Sequence, residues 1–98
     1  MREIKGIEEL MEDLLEEEGT PELSALLRIR KGWERIAGER LGRRTVPYRL
    51  EEGTLYVGAD SHATAQDLHY LKEKIRRAAG ETSNMTIKRV KTKKINLK

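Results

Sequence analysis

The 98-residue chain has no cysteine, no phenylalanine, a single tryptophan, two prolines and two histidines. Without cysteine there is neither a disulfide framework nor a thiolate zinc site. Without phenylalanine, and with 37% hydrophobic residues, the core must be built from Leu, Ile, Val and Ala around Trp33, with Tyr48, Tyr56 and Tyr70 as the remaining aromatics. Two histidines make a metal site only with carboxylate help. No apolar run approaches the roughly 20 residues that span a bilayer, and the N-terminus lacks the apolar stretch of a signal peptide. A soluble, cytoplasmic protein is the expectation. This length makes one domain with one modest core and a narrow stability margin.

Charge is plentiful but unevenly placed. The formal net charge is +3, yet residues 1–22 carry nine acids and two bases, whereas residues 23–98 carry eight acids and eighteen bases. The basic part suits a polyanionic partner, of which nucleic acid is the commonest. The plainer reading of the same charge is solubility.

Residues 3–18 have the pattern of an amphipathic helix. Ile4, Ile7, Leu10, Met11, Leu14 and Leu15 recur at helical spacing, and acids fill the other face. Acids late in a helix oppose its macrodipole. The apolar stripe therefore needs a surface, either on its own domain or on a partner. Thr20-Pro21-Glu22 then starts a second helix, with Thr20 as cap and Pro21 at the first helical position. Its buried face runs through Leu23, Leu26, Trp33 and Ile36 to about Leu41, which reads Trp33 as a core anchor rather than a stacking platform. Gly38 and Gly42 weaken the last turns, so the helix ends anywhere from Ala37 to Leu41. Residues 43–50 alternate as a strand, with Val46, Tyr48 and Leu50 inward and Thr45, Pro47 and Arg49 outward. Pro47 lacks a ladder donor, so this strand belongs at an edge or is irregular there. Glu51-Glu52-Gly53 turns the chain into a second strand with Leu55, Val57 and Ala59 inward.

Asp60 or Ser61 caps the next helix, whose stripe is Ala65, Leu68, Leu71 or Lys72, Ile75 and Ala78–Ala79, and which Gly80 ends. Glu81 to Asn84 reads as loop, and Met85 to about Lys91 as a third strand. The long connection between strands two and three fits a helical crossover and parallel pairing. The fold class is α+β, a sheet with helices on one face. The segment from Lys88 to Lys98 has six bases and no acid.

No catalytic constellation stands out. His62 and His69 lie two helical turns apart and, with Asp67 or Glu73, could in principle hold a metal; ordinary polar helix positions explain them as well. There is no phosphate-binding P-loop, and Gly38 to Gly42 has the wrong spacing for a GXXG clamp. The positive signal is basic. Arg28, Lys31, Arg35, Arg43 and Arg44 come from the helix and the start of strand one. Arg76, Arg77, Lys88, Arg89, Lys91, Lys93 and Lys94 come from the last helix and strand. Gathered on one face, they would hold phosphates, with binding that falls steeply with salt. With three tyrosines, and Tyr48 read as inward, sequence-specific base reading is not indicated.

Trp33-x-x-Ile36-Ala37-Gly38-x-x-Leu41, then Thr45-x-Pro47, then Gly53-Thr54-Leu55-x-Val57, then Asp60-Ser61-x-Ala63-x-Ala65-Gln66-x-Leu68-x-x-Leu71-Lys72 resembles the DciA-like family, long catalogued as a domain of unknown function. The resemblance covers roughly Leu26 to Val90. It implies a KH-like domain with an α-β-β-α-β core. It also implies a non-enzymatic role in DNA replication: binding the replicative helicase and DNA or RNA, and assisting helicase loading. Thr64 stands where relatives often carry an aromatic, and only Lys88–Lys98 could replace the basic extension that many relatives have. The zinc ribbon described for some relatives is excluded by the lack of cysteine. The KH likeness does not bring the GXXG clamp with it. The expected organisation is an acidic amphipathic helix at 1–19, a KH-like domain at 20–91 and a basic tail at 92–98, as a single domain without cofactor or metal. The competing function is a general nucleic-acid-binding module with no helicase role; a weaker third is a metal enzyme built on His62 and His69.

Overall fold

The computed structural model describes residues 20–95. The helix expected over 3–18 and the last residues of the basic tail lie outside them. Thr20 caps α1 (Pro21–Lys31), its Oγ1 accepting from the Leu23 amide at 3.0 Å, with Pro21 in the first turn where no amide is needed. The single helix expected to reach about Leu41 is instead three pieces. Gly32 interrupts it before α2 (Trp33–Ala37), and Gly38, at φ 91°, separates that turn from α3 (Glu39–Gly42). A positive φ costs glycine little, and this turn re-aims the chain so that Leu41 enters the core.

β1 (Thr45–Glu51) and β2 (Thr54–Ala59) form the expected antiparallel hairpin. Two residues, Glu52 at φ 51° and Gly53 at φ 82°, make the turn, the backbone that tight hairpins of right-handed twist favour. After Ser61, whose Oγ accepts from the Thr64 amide at 3.1 Å, α4 (His62–Tyr70) and α5 (Lys72–Ser83) follow. They are broken at Leu71, which is 36% exposed and so does not join the buried stripe. Gly80 does not end α5. The helix runs three residues further to an Asn84 cap in the left-handed region, the role glycine more often fills. Gly80 serves a close approach instead, since a Cβ there would sit 3.1 Å from the Met85 carbonyl oxygen.

β3 (Arg89–Lys94) pairs parallel to β2, giving the order β1-β2-β3. It starts later than Met85 and extends past Lys91. The preceding residues are committed elsewhere: the Met85 amide donates to Gly80, the Ile87 carbonyl accepts from Arg76, and the Lys88 amide donates to Gly53. The order α-β-β-α-β is thus present, each helical step subdivided. One core holds the layers together, with Leu50, Leu55, Val57, Ala59 and Val90 from the sheet packed against Ala25, Ile29, Trp33, Leu68, Ile75 and Ala79 from the helices.

Candidate nucleic-acid interface

Side chains alternate across a strand, so the residues between the core positions of the sheet face away from the helices. On β3 these are Arg89, Lys91 and Lys93, aligned with Thr54, Tyr56 and Gly58 of β2. All three cations are exposed, and among the described residues no acid pairs with them.

The β1 side of this face is set by a bulge. The register skips between Pro47, opposite Val57, and Arg49, opposite Tyr56. Tyr48 and Arg49 together therefore oppose one residue. The expected alternation fails before the bulge: Thr45 and Pro47 are buried, and Tyr48 is 39% exposed. Beyond it Leu50 returns to the core as expected. Thr45 is fixed inward by Trp33, whose Nε1 donates to its Oγ1 at 2.8 Å, while Arg30 Nη1 donates to the Pro47 carbonyl at 3.0 Å. The bulge then brings Tyr48 and Arg49 onto Tyr56. The Tyr48 and Tyr56 ring centroids are 6.2 Å apart, and the Arg49 guanidinium carbon lies 5.5 Å from the Tyr56 centroid, within cation–π range. Arg49 also pairs with Glu51.

A band thus crosses all three strands: Tyr48 and Arg49, then Tyr56, then Lys91, flanked along β3 by Arg89 and Lys93. Rings of this kind stack on unpaired bases, and cations beside them meet phosphates. Gly58 is narrowed by Ile95, whose side chain occupies the space a Cβ would need.

The other expected cations lie elsewhere. Lys88 leans over the hairpin turn, 2.9 Å from where a Cβ on Gly53 would stand. Lys94 aligns with Ala59, on the helix-facing side of the sheet. Arg28, Lys31 and Arg35 are exposed on α1 and α2, with Arg28 bonded to Ser24. Arg43 and Arg44 border a mixed-charge hollow, paired with Glu39 at 2.8 Å and Asp60 at 3.3 Å. Arg76 and Arg77 border another hollow beside Met85 and Ile87. There Arg76 donates to Glu73 at 2.8 Å, a hydrogen bond that holds the Glu73 carboxyl below its ordinary pKa and raises that of Arg76. The structure therefore joins Arg89, Lys91 and Lys93 with Arg49 and the two tyrosines. It leaves Arg28, Lys31, Arg35, Arg43, Arg44, Arg76 and Arg77 in the helical layer or at its rim.

Sequence reasoning missed Arg49 and turned Tyr48 inward. The signal for Arg49 was present: counting back from the two-residue turn pairs Glu51 with Thr54, Leu50 with Leu55 and Arg49 with Tyr56. His62 and His69 are exposed on α4, and among the described residues no three of His, Asp and Glu converge as a metal-ligand group. Among the same residues no helix is long and apolar enough to cross a membrane.

No curated protein matches the sequence. Residues 6–92 match the family described as Dna[CI] antecedent, DciA, a span that takes in every element from α1 to the middle of β3, and the chain belongs to that family.

Proposed function

We propose that this protein is a non-enzymatic accessory of DNA replication that contacts the replicative helicase and holds nucleic acid on the open face of its sheet, assisting helicase loading. Family membership supports the replication and helicase-loading part. The observation that carries the nucleic-acid part is the band of Tyr48, Arg49, Tyr56 and Lys91, with Arg89 and Lys93 beside it, on the face that the described helices leave uncovered. Tyrosine faces stack on bases of any identity and the cations bind backbone, so binding on this face is sequence-tolerant and salt-dependent. The helicase contact falls to the acidic N-terminal segment or to an open edge of the sheet, both β1 and β3 being edge strands.

Size exclusion with light scattering of the protein mixed with the replicative helicase of the same organism tests the first part. A complex of defined stoichiometry is expected. Fluorescence anisotropy with a labelled oligonucleotide across a salt series tests the second, with affinity falling as salt rises. Salt-dependent oligonucleotide binding without any helicase complex at micromolar concentrations would leave a nucleic-acid-binding module with no helicase role. The open face favours that reading as the alternative, because it needs no second protein.

A further inference from the structure

β1 and β3 both end the sheet, and they end it differently. The edge at β1 is blunted. Pro47 has no amide, its carbonyl already accepts from Arg30 at 3.0 Å, and the register skips between Pro47 and Arg49. Proline and bulges keep an edge from accepting another strand. β3 has neither, and its register against β2 runs from Arg89 to Lys94 without a skip. The Arg89 amide donates to Gly53 at 3.3 Å and the Ile95 amide to Ala59 at 2.8 Å. Successive residues of a strand turn their N–H and C=O groups to opposite sides, so every second residue bonds to the same neighbour. Val90, Thr92 and Lys94 therefore turn these groups to the outer side, where no described residue bonds to them. The strand also carries no acid and four exposed cations, Arg89, Lys91, Lys93 and Lys94, none of which pairs with a described acid. Two copies joined through this edge would set like charges against each other, which cross-strand pairing penalises. An acidic strand meets the opposite situation.

We propose that the outer edge of β3 takes an extended segment of a partner protein by strand addition, and that this segment carries Asp or Glu at every second position, beside Arg89, Lys91 and Lys93. Main-chain bonds to Val90, Thr92 and Lys94 hold the segment, and the alternating acids set its register. A nucleic-acid strand meets the same cations but has no backbone amide to give the outward carbonyls. Resting on the reading above that the partner protein meets an open edge of the sheet, the proposal selects β3 over β1 and names the chemistry of the segment.

Thr92→Pro separates the ladder from the charge. The Thr92 amide points away from β2, so proline there removes no bond of the sheet, while it deletes an outward donor and puts a ring on the edge. Every charge stays. The probe is a peptide of alternating glutamate and threonine with blocked ends, six residues long to match β3, titrated into the isotopically labelled full-length chain and followed by amide NMR shifts. Saturable binding is expected, with the largest shifts at the amides of Val90, Thr92 and Lys94. Affinity should fall at least several-fold in Thr92→Pro, and the same peptide with lysine in place of glutamate should not bind. Lys91→Glu/Lys93→Glu should exchange the preference, taking the lysine peptide and refusing the glutamate one. That pair decides the matter if Trp33 fluorescence shows that Thr92→Pro has lost its core. Equal affinity in a folded Thr92→Pro protein would overturn the inference by leaving charge alone to hold the peptide. No saturable binding at millimolar peptide would overturn it too. So would edge-amide shifts that grow with protein concentration without peptide, which make the occupant a second copy. The titration contains neither helicase nor oligonucleotide, so its failure is distinct from failure of the proposed function, which light scattering and anisotropy read.

Discussion

The indole Nε1 of Trp33 donates to the hydroxyl of Thr45 at 2.8 Å, and that hydroxyl donates to the Leu41 carbonyl at 2.6 Å. The relay ties α2 and α3 to the first residue of β1 and fixes which face of the strand begins inward. Trp33 is 5% exposed and Thr45 6%, so both groups rely on each other rather than on water. Trp33→Phe is expected to cost about 1–3 kcal/mol, the range for leaving a buried polar group without its partner. Trp33→Ala, which also opens a cavity, should cost about 3–5 kcal/mol. Urea denaturation of both variants checks the order. A folded Trp33→Ala protein of near-native stability would remove Trp33 from the core.

The open face makes a directional prediction among cations. Arg49→Ala, Lys91→Ala and Lys93→Ala should each weaken oligonucleotide binding, and the two lysine changes should each lower the salt slope by about 1. Arg28→Ala and Lys31→Ala, on the helical layer, should leave both quantities unchanged. Tyr56→Ala should weaken binding by about 1–3 kcal/mol if a base stacks there. Anisotropy titrations at two salt concentrations decide it; an inverted pattern, with the helical cations dominant, would move the interface off the sheet.

Gly53 meets two requirements at once. Its φ is 82°, and a Cβ would lie 2.9 Å from the Lys88 side chain, while its carbonyl accepts from the Lys88 amide at 2.7 Å. Gly53→Ala should therefore destabilise by roughly 1–2 kcal/mol. Trimming the neighbour with Lys88→Ala should recover only the steric part, because the backbone cost remains. Thermal denaturation of the single and double variants separates the two.

The Glu73–Arg76 pair predicts a titration. Because the hydrogen bond from Arg76 lowers the Glu73 pKa in the folded state, unfolding takes up a proton over the pH range between the two values. The pair's contribution to stability is present above the unfolded pKa and is lost as pH falls through the folded one. Both side chains lie at the surface, so the effect on stability is small. NMR titration of the Glu73 carboxyl should give a midpoint below that of an ordinary glutamate, and Arg76→Ala should move it upward. An unmoved midpoint would assign the shift to another source.

Most of the local order was legible in the chain. Thr20 and Ser61 mark helix starts because their hydroxyls accept from amides that no helix can satisfy for itself, and Pro21 because it has no amide to satisfy. Glu52-Gly53 marks the hairpin, and the alternation of Leu55, Val57 and Ala59 marks the strand whose neighbours are both present. Gly32 and Gly80 show the limit. Each is a glycine in a helical stretch, yet the chain breaks at one and continues through the other. At Gly80 the missing side chain makes room for the Met85 carbonyl, a long-range contact that no local pattern shows.

The sequence by itself determined the mixed α+β class, the order of elements, the Trp-centred core and the basic excess, because these depend on period, capping and composition. Only tertiary structure decided which side chains share the open face of the sheet. A bulge shifts side chains by one position, and one position is the whole difference between the core face and the open face of a strand. That shift, held by Trp33 on Thr45 and by Arg30 on Pro47, turned Tyr48 out to meet Tyr56, which the hairpin register already pairs with Arg49. Parallel pairing of β3 against β2 then aligned Lys91 with the same tyrosine. The local hairpin register brings Arg49 to Tyr56, but no local pattern adds Tyr48 and Lys91 to the same ring.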